Sequence, residues 1–215
     1  MSLLPDDKKE LLKTEFQQKL VDPVKLVMFT QEMECRFCSD TRTLTQEMAQ
    51  LNEKITAEVH DFQKDADLAK QLGIDKIPAI AVLGKKDYGV RIFGVPYGYE
   101  LQTLVDAILN VSSGKTDLAD KTKALLKDVK APVHIQVFVT LTCPHCPAAG
   151  AIAHKLAVAS EMIRADVIDA QEFPVQAQRY GVMGVPKIVL NEKVEFTGAF
   201  NEDLFAEYAI LAANT

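Results

Sequence analysis

The apolar and polar positions of this chain run through one pattern twice. Asp6–Leu20 spaces its apolar residues for a helix. Val24-Lys25-Leu26-Val27-Met28-Phe29 follows as a nearly unbroken apolar run, the signature of a buried strand. Helical spacing returns over Ser39–Asn52, a short strand over Ile55–Val59, and a second helix over Ala66–Leu72, closed by Gly73. Ala79–Leu83 and Tyr88–Phe93 are two further strands joined by the turn Gly84-Lys85-Lys86-Asp87, and a last helix spans Glu100–Leu109 after Gly94. The same order then recurs. Lys123-Ala124-Leu125-Leu126-Lys127 loosely repeats Lys9-Glu10-Leu11-Leu12-Lys13, and Val133–Val139 repeats the first strand. Helices over Pro147–Glu161, Val175–Tyr180 (closed by Gly181) and Glu202–Leu211 enclose strands over Ile163–Ile168, Lys187–Leu190 and Val194–Thr197.

Each copy has the order α-β-α-β-α-β-β-α. The βαβ half gives parallel strands and the closing hairpin an antiparallel pair, so each unit is α/β, a mixed four-stranded sheet flanked by helices. A chain of 215 residues accommodates two such units. The small polar stretch Ser112-Ser113-Gly114-Lys115-Thr116 marks the boundary, giving units 1–113 and 114–215. The linker is short, so the units pack into one body.

The four cysteines sharpen this picture. They form Cys35-Arg36-Phe37-Cys38 and Cys143-Pro144-His145-Cys146, each placed after the first strand of its unit. Pro78 lies 40 residues beyond Cys38, and Pro186 lies 40 beyond Cys146. A CxxC pair beside a βαβ pattern points to a dithiol that cycles with a disulfide. Zinc is the competing reading, but zinc ribbons space their pairs by about 15–20 residues, whereas 105 separate Cys38 from Cys143. No metal is therefore expected.

At these residues the chain resembles the tandem thioredoxin-fold protein disulfide oxidoreductases, also called glutaredoxin-like proteins, of thermophilic bacteria and archaea. Lys86-Asp87-Tyr88-Gly89 and Gly184-Val185-Pro186-Lys187-Ile188 add to the resemblance, which covers nearly the whole chain. It implies two thioredoxin-like domains. It also implies that the Ile77-Pro78 and Val185-Pro186 bonds are cis beside the cysteine pairs, turning the backbone of Ile77 and Val185 toward a bound peptide. The composition is not that of a hyperthermophile: charged residues make up 25%, and Gln46, Gln50, Gln171, Gln176 and Gln178 are freely used.

The chemistry expected is thiol–disulfide exchange, which needs a thiolate. A cysteine at a helix N-terminus faces unpaired N–H groups and the positive end of the dipole, so Cys35 and Cys143 are the expected nucleophiles. Cys38 and Cys146, one turn inward, resolve the mixed disulfide. Between them, His145 can donate a hydrogen bond or a positive charge, and Pro144 suits the first helical turn. Cys-Pro-His-Cys is also the tetrad of a strongly oxidising periplasmic thiol oxidase. Arg36 offers a charge at the first site, which Glu34 opposes. Two departures from related folds stand out. The strands before the cysteines carry no buried Asp, being apolar apart from Lys25, His134 and Gln136, so proton transfer must use water or an acid outside the strand. The glutathione-binding glycines of glutaredoxins are matched loosely by Gly198-Ala199-Phe200-Asn201-Glu202-Asp203 and hardly at all by Gly94-Val95-Pro96.

Other residues take plainer readings. His60, His134 and His154 are surface or packing positions. Asp65, Asp67, Asp169 and Glu172 are helix-start and solvent charges, and Lys187 is an exposed strand lysine. Pro96-Tyr97-Gly98-Tyr99 turns the chain into the last helix of the first unit.

Function follows as a protein dithiol–disulfide oxidoreductase that reduces, forms or isomerises protein disulfides with no cofactor beyond its own redox-active disulfides. The resemblance implies reducing equivalents from a separate NADPH-dependent, thioredoxin-reductase-like flavoprotein. Partners are disulfide or dithiol proteins, with a peroxiredoxin as a further partner. The alternatives are a glutathione-linked glutaredoxin and an electron-relay module of a peroxiredoxin system, like the tandem head of the flavoprotein that reduces it; that head keeps one CxxC where this chain has two. No Gly-x-Gly-x-x-Gly occurs, so flavin and nicotinamide sites are not expected in this chain. A net charge of −6 argues against nucleic acid or an anionic membrane as partner. The start of the chain lacks an apolar stretch behind a basic head, which makes the cytoplasm the expected compartment and catalytic cysteines more natural than structural ones.

Overall fold

The computed structural model describes residues 2–33 and 35–215. In chain order the elements are α1 (Asp6–Lys19), β1 (Val24–Thr30), α2 (Cys38–Ala49), β2 (Ile55–Asp61), α3 (Ala66–Gln71), β3 (Ala79–Leu83), β4 (Asp87–Phe93) and α4 (Glu100–Ser113). The second half repeats them as α5 (Asp120–Leu126), β5 (Val133–Val139), α6 (Cys146–Ala159), β6 (Ile163–Asp169), α7 (Pro174–Arg179), β7 (Lys187–Leu190), β8 (Val194–Thr197) and α8 (Glu202–Ala213). The two-fold repetition of a mixed α/β unit read from the sequence is the repetition of the fold.

The sequence did not disclose how the halves join. All eight strands form one sheet, in the order β2-β1-β3-β4-β6-β5-β7-β8. β4 of the first half lies parallel to β6 of the second, with Val90 opposite Ala165 and Phe93 opposite Ile168. Within each half two strands run parallel (β1 with β2, β5 with β6) and the rest pair antiparallel.

Alternation along the strands divides the core between two faces. Val24, Leu26 and Met28 of β1 and Ile135, Val137 and Val139 of β5 point to the layer of α1, α2, α4, α5, α6 and α8. Val27, Phe29 and Phe138 point to the other face, which α3 and α7 and the loops after them cover. Where β4 meets β6, α4 packs beside α6, and Thr103 lies so close to Gly150 that a Cβ there would stand 3.1 Å from the threonine methyl.

An ion network ties the halves together at the edge where β4, β5 and β6 begin. Arg91, 2% exposed, donates from Nε to the Leu72 carbonyl at 2.8 Å and pairs with Asp87. Arg164 donates to both oxygens of Asp166 at 2.9 Å and to the Gly73 carbonyl at 2.6 Å, while the His134 ring meets Asp166 at 2.7 Å. Burial alone would raise the Asp166 carboxyl, but His134 and Arg164 outweigh it and hold the group down at about 2. The buried His154 ring, on α6, contacts the Arg91 carbonyl oxygen at 3.1 Å. His134 is thus the partner of a buried acid, and His154 is a packing residue as expected. Lys187 is not exposed: only 9% of it is accessible, and its ammonium pairs with Glu195 at 3.1 Å. Among the described residues, no helix is long and apolar enough to cross a membrane.

Candidate functional site

Both cysteine pairs sit at the same edge of the sheet, because β1 and β5 run in the same direction and each is followed by a CxxC turn and a helix. Cys35 is disulfide-bonded to Cys38 with Cα atoms 5.4 Å apart, and Cys143 to Cys146 with Cα atoms 5.5 Å apart. In each pair the first cysteine is half-buried and the second is sealed in the core: Cys38 is 2% exposed and Cys146 fully buried. One sulfur is thereby accessible to a partner and the other is reached only through it.

The helices open at Cys38 and Cys146 rather than at the first cysteine of each pair. Cys35 and Cys143 stand just before, outside the helix, in the segments that lead from β1 and β5. They still face the free N–H end. Pro144 likewise belongs to the second of these segments, and it is Pro147 that occupies the first helical turn. His145 is exposed at the position preceding α6. Arg36 is exposed too, its guanidinium 5.2 Å from the Phe37 ring centre. Glu34, expected to oppose Arg36, lies outside the described residues.

The Ile77-Pro78 and Val185-Pro186 bonds are both cis. Val185 lies directly against the second pair, its carbonyl oxygen 3.8 Å from the Cys143 sulfur. Pro78 and Pro186 are tied to the neighbouring strands in the same way: the Gly94 N–H donates to the Pro78 carbonyl at 2.9 Å, and the Gly198 N–H to the Pro186 carbonyl at 2.8 Å. In the sheet, β3, β4 and β6 separate β1 from β5, four strand spacings or about 19 Å. The two disulfides therefore cannot exchange directly in this arrangement.

Between the two pairs, at the same edge, lie three carboxyls that sequence reasoning placed in solvent or passed over. Glu100 opens α4 and is 2% exposed; Asp169 closes β6 and is 3% exposed; Glu172 is half-buried in the loop beyond. Each keeps one oxygen buried without a hydrogen-bond partner. Their other oxygens are satisfied: Glu100 accepts from the Thr103 hydroxyl at 2.7 Å, Asp169 from the Gln171 N–H at 2.7 Å, and Glu172 from the Val95 N–H at 2.8 Å. Burial pushes Glu100 up to about 7, against the pull of the Thr103 hydroxyl and helped by the charge of Asp169. Burial does the same to Glu172, again to about 7, with Asp169 and Asp40 adding repulsion. Asp169 is raised by burial as well. The correction for Asp169 and Glu172 has a physical reason. They end and follow a strand that would be an edge in an isolated unit, and β4 with its following loop covers it: a Cβ on Gly94 would stand 3.0 Å from the Asp169 Cβ.

Glu100 reaches the second half of the chain through the packing of two helices. Helices α4 and α6 run side by side in the same direction, with Thr103 against Gly150. One turn toward the N-terminus on each brings Glu100 level with Cys146. A helix-opening glutamate has no distinguishing mark in the sequence, since most are solvated.

Similarity to known proteins agrees with this geometry. A family model for the thioredoxin domain matches residues 133–208. A thioredoxin of Methanocaldococcus jannaschii is 41% identical over 78 residues, covering 35% of this chain and 89% of that one. The crystal structure of a protein disulfide oxidoreductase from Aeropyrum pernix superposes with a TM-score of 0.90 at 30% identity, over 98% of this chain and 94% of the other. The chain belongs to the tandem thioredoxin-fold protein disulfide oxidoreductase family. The N-terminal domain of the alkylhydroperoxide reductase AhpF from Enterococcus faecalis is also similar, with a TM-score of 0.85 at 25% identity, over 95% of this chain and 98% of that domain. The chain spans only 28% to 34% of the length of the longer curated relatives it matches. Among the described residues, no group of three or more His, Cys, Asp or Glu side chains is placed to hold a metal ion.

Proposed function

We propose that the chain is a dithiol–disulfide oxidoreductase acting on proteins, with one redox centre in each of its units, 1–113 and 114–215. The observation that carries the reading is the pairing of an accessible sulfur with a buried one beside a cis-proline loop, present twice. In the reducing direction the Cys143 or Cys35 thiolate attacks one sulfur of a target disulfide. That S–S bond breaks, its other sulfur leaves as a thiolate, and a mixed disulfide forms. The Cys146 or Cys38 thiolate then attacks the sulfur of its partner cysteine and releases the second target thiolate. The target has gained two electrons, and the CxxC dithiol has become the disulfide seen here.

Arg36, Pro144 and His145 tune the two centres, and Ile77, Pro78, Val185 and Pro186 hold the target backbone. Glu100 takes up the proton that Cys146 loses when it attacks and returns it on reduction, a task suited to a carboxyl that titrates near neutrality. The oxidised centres are recharged by a separate NADPH-dependent flavoprotein of the thioredoxin-reductase type, in the cytoplasm. Reduction of insulin disulfides by dithiothreitol tests the core of the reading. The chain is expected to accelerate it, and Cys35→Ser with Cys143→Ser to abolish the acceleration; full activity in that double variant would refute exchange at these sites.

A second reading, an electron relay within a peroxiredoxin-reducing system, is favoured by the similarity to nearly the full length of the AhpF N-terminal domain. It predicts rapid electron transfer to a peroxiredoxin and slow reduction of insulin. The glutathione-linked reading has no corresponding support.

A further inference from the structure

The turn from β4 into α4, Pro96-Tyr97-Gly98-Tyr99, belongs to the first half of the chain but rests against the second redox centre. The Tyr99 N–H donates to the Leu141 carbonyl at 3.1 Å, two residues before Cys143. Gly98 has φ +61°, and a Cβ there would stand 2.6 Å from the same carbonyl oxygen, so the two backbones touch where no side chain fits. The Tyr97 N–H closes the turn on the Val95 carbonyl at 2.9 Å. The turn is fixed, yet Tyr97 is 40% and Tyr99 54% exposed.

The opposite flank of Cys143 is apolar as well. Val185 touches the sulfur through its carbonyl, and Met183, two residues earlier, is 97% exposed. Phe200, beyond Gly198, is also exposed. The sheet order sets these features in a row along one edge: the tyrosine turn after β4, Cys143 after β5, the cis-proline loop before β7 and Phe200 after β8. The first centre lacks this character on its cis-proline flank. Asp75 and Lys76, an ion pair at 2.7 Å, stand where the second half has Met183 and Gly184.

We propose that the Tyr97–Tyr99 turn forms one wall of a peptide-docking surface at the second redox centre, and that this surface takes an extended, unfolded polypeptide carrying bulky apolar residues beside its disulfide-bonded cysteine. The inference rests on the disulfide-exchange reading. Tyrosine offers large contact area with little side-chain entropy to lose. Among the described residues the Val185 N–H has no hydrogen-bond partner, so an extended segment can pair there. The tyrosine turn meets Leu141, two residues before Cys143, and Val185 meets the Cys143 sulfur, so one extended segment can lie along both while its cysteine meets Cys143.

The test uses the full chain carrying Cys35→Ser and Cys38→Ser, so that only the second centre reacts. The pre-reduced protein is mixed with a disulfide-linked peptide dimer whose cysteine is flanked either by Phe and Leu or by Ser, and released peptide thiol is followed in a single turnover. The Phe/Leu dimer should react faster. Tyr97→Ser with Tyr99→Ser should lower the ratio of the two rate constants about tenfold, the loss of a hot-spot aromatic contact. Met183→Ser, on the opposite wall, should lower it too, while Leu11→Ser, exposed on α1, should leave it unchanged. A ratio unmoved by the tyrosine substitutions overturns the proposal; if that variant does not fold, a ratio unmoved by Met183→Ser overturns it equally. Release of no thiol from either dimer by the parent chain means instead that the exchange reading has failed.

Discussion

Replacing Glu100 by Gln should stabilise the folded chain at alkaline pH and do so much less in mild acid. Glutamine keeps the oxygen that accepts from the Thr103 hydroxyl and removes the charge. The carboxyl rises from an ordinary 4.5 to about 7 on folding, chiefly because it is buried. The folded state therefore binds the proton more tightly than the unfolded chain. Its stabilising contribution is complete below the unfolded value and is lost as the pH climbs through the folded one. The full loss is about 3 kcal/mol, and between about pH 5.5 and about pH 8.5 it is about 2 kcal/mol. Urea unfolding of the oxidised protein at those two pH values measures it directly. Wild type should lose about 2 kcal/mol more than Glu100→Gln across the interval. Parallel stability–pH curves for the two would show that the Glu100 carboxyl is not held near neutrality, and with that the proton-holding role assigned to it would fall.

Three further outcomes are expected. Cys143 should be alkylated faster than Cys35 in the reduced protein in mild acid. His145→Ala should slow Cys143 alone and Arg36→Ala Cys35 alone; mass spectrometry of the labelled peptides resolves the two, and equal rates that ignore both substitutions would remove the tuning role. Asp166→Ala should cost about 3–5 kcal/mol in urea unfolding, because it leaves Arg164 and His134 facing each other without their shared carboxylate; a loss below about 1 kcal/mol would mark the network as solvent-like. With NADPH and a thioredoxin-reductase-type flavoprotein the chain should turn over steadily, and with glutathione and glutathione reductase only slowly; the reverse order would favour the glutathione-linked reading.

The elements themselves were legible in the sequence because strand and helix periods are local. Val24–Phe29 and Val133–Val139 are apolar on both faces, and each lies between helices on both sides of the sheet. The cysteine pairs and their prolines were legible because their spacing repeats. What stayed hidden depends on contacts between halves. Nothing in Val90–Phe93 or Ala165–Ile168 says that these strands pair with each other, since a buried strand is apolar whichever neighbour it has. Asp169 and Glu172 looked like solvent charges because the loop that buries them, at Gly94 and Val95, is about 75 residues away in the chain. The burial of Glu100 and the contact of the tyrosine turn with Leu141 escaped for the same reason.

The pairing of β4 with β6 has a consequence for how the chain could change over time. Cut apart, each half would offer a bare strand border, Val90–Phe93 on one and Ala165–Ile168 on the other, with backbone groups ready to recruit a stranger's strand. Joined, each half serves as the other's guard against aggregation. That duty does not involve sulfur. A half that lost its cysteines would still be needed for its strand, so its chemistry is free to drift or vanish while its fold is retained. The same bond of dependence makes deletion of either half far more damaging than the silencing of its redox centre.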